Sequence, residues 1–149
     1  MKEKYNEIKN KYKLPEYEEL SKDFDVESIE EDDNIIKEII RKIFSKIDSY
    51  AGVLENLMQP ESLSSMQEAS TLDDEDKAKI NAAYMKSRYI TRMLVESGLD
   101  FSEEKGAKAI NEAINEWNKI KPDIKTIIGK LKNSWNGENK KTNEEGYFG

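Results

Sequence analysis

The stretch IKEIIRKIFSKIDSYAGVLENL, residues 36–57, decides the fold. Ile36, Ile40, Ile43, Ile47, Tyr50, Leu54 and Leu57 follow one another at spacings of 4, 3, 4, 3, 4 and 3. That alternation averages close to the 3.6-residue turn of an α-helix, so these side chains fall in one stripe. Two adjoining rows, Ile35/Ile39 and Phe44/Ala51/Met58, widen the stripe to the face that a bundle helix buries. The pattern predicts one helix from about Ser28 to Met58, roughly 45 Å long at 1.5 Å per residue. Ser28 is the expected N-cap, with Glu31 three residues on as its capping-box partner. Gly52 marks an expected close helix contact, and Pro60 ends the helix.

The same reading extends to both sides. Upstream, Tyr5, Ile8 and Tyr12 would line a marginal helix that Leu14-Pro15 stops. Pro15 then opens a short helix from Glu16 to about Phe24, with an acidic first turn that suits the helix dipole. Downstream, Pro60 to Leu72 is a serine-rich connection in which Leu63 and Met66 could anchor one turn over the bundle end. A helix capped by Thr71 or Asp73 runs to about Glu96, with Ile80, Ala83, Tyr84, Ile90, Met93 and Leu94 inward. Gly98 is its expected left-handed cap. The last helix starts near Ser102 and turns Ile110, Ile114, Trp117, Ile120, Ile124, Ile128, Leu131 and Trp135 inward. Pro122 lies inside that pattern, which continues past it, so a kink and not a break is expected.

The predicted fold class is therefore all-α: an elongated antiparallel bundle of three long helices plus one short N-terminal helix. Residues 1–135 form the expected single domain, and 136–149, without periodicity, an expected mobile C-terminal tail. Pairing of the long helices between two copies, a homodimer, is the alternative arrangement. Composition agrees with the class. The chain is 36% hydrophobic and 37% charged, with only 7 Gly and 3 Pro among 149 residues, too few for the turns of a β-sandwich.

The same composition narrows the chemistry. There is no Cys and no His, which removes disulfides, thiolate chemistry, the commonest general base and the commonest metal ligand. P-loop, G-x-G-x-x-G, G-x-S-x-G and calcium-loop motifs are absent. The acidic runs Glu30-Glu31-Asp32-Asp33 and Asp73-Asp74-Glu75-Asp76 are consecutive, so a helix would fan them over different faces. No catalytic, cofactor or metal site is expected, and the chain reads as non-enzymatic. Met1-Lys2-Glu3-Lys4-Tyr5 opens without the apolar core of a signal peptide, and no apolar run approaches a membrane span. A cytoplasmic location and no membrane partner are the expectations.

One surface invites a partner. From Lys119 to Lys132 the last helix carries Lys119, Lys121, Lys125, Lys130 and Lys132 against Asp123 alone, with Trp117 and Trp135 at the ends. Cations near a helix C-terminus complement its dipole, and a lysine face also suits an acidic protein. Lysines interleaved with aromatics could instead attract single-stranded nucleic acid, against which the formal net charge of −7 weighs. The block from Glu16 to Asp33, ten acidic side chains against one lysine, offers an internal counterpart. Tyr147-Phe148, in the tail, is a candidate docking motif. The expected function is a helical interaction or adaptor protein, or a subunit of a larger assembly. The alternative is a nucleic-acid-associated accessory factor using the lysine-rich last helix.

Overall fold

The computed structural model describes residues 2–30 and 34–136. It is an all-α antiparallel bundle, with no strand among the described residues. In chain order the helices are α1 (Lys2–Tyr12), α2 (Tyr17–Asp23), α3 (Ile35–Met58), α4 (Leu63–Ala69), α5 (Asp74–Ser97) and α6 (Glu103–Ser134), with one 3-10 turn at Val26–Ser28. Internal contacts divide the chain into two compact units. The first combines the chain up to Ser49 with Ser87–Lys119, and the second combines Tyr50–Lys86 with the chain from Ile120 onward.

In the first unit the N-terminal segment forms more structure than its sequence suggests. The last residue of α1 is followed by Lys13 at a left-handed φ of 54°, and the Leu14 N–H bonds the Lys9 carbonyl at 3.1 Å. That six-to-one bond satisfies an orphan carbonyl of the last turn, and Leu14 is buried beside it. Tyr5 is fully buried, and its hydroxyl donates to the Pro15 carbonyl. Its ring meets Tyr17 at 5.7 Å between centroids, which fixes α1 against α2.

The start of α3 lies later than the sequence predicts. Ser28 sits in the 3-10 turn, and its hydroxyl donates to the Asp25 carbonyl at 2.9 Å instead of capping a helix. Val26 and Ile29 on either side are buried, and an extended backbone at Ile29 turns its side chain inward. The cap is Asn34, whose Oδ1 accepts the Lys37 N–H at 3.1 Å. Glu31 lies outside the described residues. From there the buried line is Ile36, Ile39, Ile43 and Ile47, with Ile40 half-buried.

At the end of α5, Gly98 has no left-handed backbone; Asp100 does, with φ 49°. The Lys105 ammonium bonds the Leu99 and Asp100 carbonyls at 2.7 and 3.2 Å, and Ser102 caps α6 through the Lys105 N–H at 3.1 Å. The close approach expected at Gly52 occurs at Gly106. A Cβ at Gly52 would meet nothing within 4 Å, whereas one at Gly106 would lie 2.6 Å from Ile36 Cγ2 and 2.8 Å from the Phe101 ring. Gly52→Ala should therefore raise stability by about 0.5–1 kcal/mol through helix propensity. Gly106→Ala should lower it by about 1–2 kcal/mol, because overpacking outweighs that gain. Urea denaturation of the two variants checks the opposite signs.

In the second unit, Ala51, Leu54 and Leu57 of α3 and Ile80 and Ala83 of α5 enclose a core with α6. Tyr84 is half-buried, and its hydroxyl bonds Glu55 at 2.9 Å. α6 continues unbroken through Pro122. Its buried line there is Ile120, Ile124, Ile127, Leu131 and Ser134. The expected Ile128 is half-buried, and Trp135 is exposed. The 3.6-residue period allows either of two adjacent isoleucines to face inward, and packing takes the first.

Candidate functional site

The lysines of α6 separate once their neighbours are known. Lys119, in the first unit, bonds Glu116 at 3.2 Å one turn back. Lys130, in the second unit, bonds Asp76 Oδ1 at 2.6 Å. Asp76 is 2% exposed and is held from three sides. Its other oxygen accepts the Asp73 N–H at 3.1 Å, while its own N–H donates to Asp73 Oδ1 at 2.8 Å. This is a reciprocal cap of the first turn of α5. Burial pushes the Asp76 carboxyl up, but the Lys130 ammonium and the Asp73 N–H outweigh it and hold the group below its ordinary value. The same contact raises Lys130. Lys130 is thus part of the fold as well as of the basic run.

Lys121, Lys125 and Lys132 are the other basic residues of the run. Their spacing of 4 and 7 places them in one stripe along α6, away from the line Ile120, Ile124, Ile127 and Leu131. Lys125 and Lys132 are exposed and Lys121 is half-buried.

Lysines of the first unit pair with its acidic block. Lys2 meets Glu18, Lys9 meets Glu16 at 3.0 Å and Lys42 meets Asp25 at 3.9 Å. Trp117 and Asn118 of α6 also bond this block. The Trp117 indole N–H donates to Asp23 at 2.9 Å, and the Asn118 amide donates to Glu19 at 3.2 Å. Trp117 is 3% exposed and packs on Phe24, so its face is closed to a nucleobase. Tyr147 and Phe148 lie outside the described residues.

The surface that sequence reasoning missed lies in the second unit, at α4. Ser62 caps this helix by accepting the Ser65 N–H at 3.0 Å. None of the helix's residues is buried. Leu63 and Met66, expected to anchor it, point outward at 86% and 51% exposure. The side facing the protein carries Ser65, Glu68 and Ala69, all half-buried. Beside α4 stands Trp135, 56% exposed, whose indole N–H donates to Glu68 at 3.0 Å. That bond explains the outward Trp: its N–H needs an acceptor, which an apolar core lacks. Met58, at the end of α3, is also exposed.

Among the described residues no group of three or more acidic side chains is arranged to hold a metal ion, and no helix is long and apolar enough to cross a membrane. No family model, curated protein or solved structure matches the chain.

Proposed function

We propose that this chain is a non-enzymatic helical interaction protein, an adaptor or a subunit of a larger assembly. The observation that carries the reading is α4, a helix with no buried residue that exposes Leu63 and Met66 next to an exposed Trp135. A chain with 36% hydrophobic residues has few to spare. Exposing large ones together costs hydration free energy unless a partner covers them. Lys121, Lys125 and Lys132 add basic charge to the same unit.

The test is capture from an extract of the source organism with the whole chain as bait, alongside titration with single-stranded DNA and RNA. The expected result is a specific protein partner and no micromolar binding of either nucleic acid. Salt-sensitive nucleic-acid binding that disappears in Lys121→Glu/Lys125→Glu/Lys132→Glu would overturn the reading in favour of an accessory factor on nucleic acid, because counterion release ties such binding to salt.

A further inference from the structure

The partner's chemistry can be read from what surrounds α4, given that the chain is an interaction protein. From Tyr50 to Asp76 the second unit carries Glu55, Glu61, Glu68, Asp73, Asp74, Glu75 and Asp76, with no lysine or arginine. Leu63 and Met66 sit in the middle of this stretch, in which Asp76 is buried on Lys130 and Glu68 holds the Trp135 N–H, while Glu61, Asp73, Asp74 and Glu75 are exposed. Apolar anchors flanked mainly by exposed carboxylates select an occupant with an apolar ridge and positive charge beside it. An anionic membrane surface or a nucleic acid has the wrong sign.

The occupant's conformation follows from the fold. No strand edge exists among the described residues, so an extended peptide has no ladder to join. Leu63 and Met66, one turn apart on α4, form a short ridge of the kind that packs between the side chains of another helix. Methionine, unbranched and polarisable, adapts to such a partner, and Trp135 supplies an aromatic at the flank. We propose that the outward face of α4, with Trp135 beside it, docks a basic amphipathic helix of a partner protein.

The experiment uses the whole chain and a synthetic 18-residue helical peptide with leucine on one face and lysine on the other, followed by tryptophan fluorescence. A peptide with the same leucine face and glutamate in place of lysine is the control. The chain should bind the lysine peptide, and added salt should weaken the complex. Leu63→Ser/Met66→Ser, which keeps every charge and alters only exposed side chains, should weaken it about tenfold or more. Trp135→Phe should remove most of the fluorescence change, since Trp117 is enclosed by Phe24 and Asp23.

Absence of binding, equal binding of the glutamate peptide, or equal binding by the double variant would each overturn the proposal. So would a natural partner from the extract that the double variant captures as well as the wild type does; that result would leave the interaction reading standing and move its surface elsewhere.

Discussion

Ile43→Ala should lower the stability of the chain by about 2–5 kcal/mol, the largest effect expected of a single substitution here. Ile43 is fully buried in the first unit, on the line with Ile36, Ile39 and Ile47. Truncation removes three carbons from a site whose neighbours are also buried isoleucines. The loss therefore includes both the transfer free energy and a cavity that β-branched neighbours close poorly. Ile40→Ala, at a half-buried position, should cost clearly less. Urea denaturation with circular dichroism checks both. A loss below about 1 kcal/mol at Ile43, or a larger one at Ile40, would mean that α3 turns a different face to the core.

Asp76→Ala should cost about 2–3 kcal/mol near neutral pH, because it removes two charge-assisted hydrogen bonds to a buried carboxylate, from Lys130 and from the Asp73 N–H. The substitution leaves the other half of the reciprocal cap in place, the N–H of residue 76 donating to Asp73 Oδ1. Its pH dependence has a fixed sign. The folded Asp76 carboxyl titrates below its ordinary value, so the unfolded chain takes up this proton first as pH falls. The stabilisation is complete above the ordinary aspartate range and is lost as pH falls through the lower, folded value. The gap in melting temperature between wild type and variant should be widest at neutral pH and shrink in acid. A gap that stays constant from pH 7 to about pH 3 would assign the loss to packing instead of the carboxylate.

The helical class was legible because period and stops agreed. Apolar spacing set the long helices, and Pro60 and Ser102 marked ends that the structure keeps near those positions. The missed features depend on choices that a one-dimensional pattern leaves open. Ile127 and Ile128 are identical neighbours, and only the packing of the second unit selects the first. Ser28 and Asn34 are both good caps; burial of Val26 and Ile29 moves the start of α3 to Asn34. Gly52 and Gly106 look alike in sequence, but only Gly106 lies against a neighbouring side chain.

The candidate site was less legible than the fold. The lysine run was visible as composition, but its division depends on which carboxylates fold against it, Glu116 for Lys119 and Asp76 for Lys130. The sequence pattern puts Trp135 on the inward face and lets Leu63 and Met66 anchor α4, because large apolar residues are usually buried. Their exposure follows from the way α4 presents Ser65 and Glu68 to the protein, with Glu68 taking the Trp135 N–H.

The most direct test of the central claim, that α4 is where a partner docks, is a ¹H–¹⁵N NMR titration of the whole chain with the leucine–lysine peptide. The account predicts perturbed amides from Leu63 to Ser70 and a shifted Trp135 indole N–H, with the Trp117 indole N–H unmoved. Perturbations that spare α4 and gather elsewhere, or no perturbation at all, would contradict it.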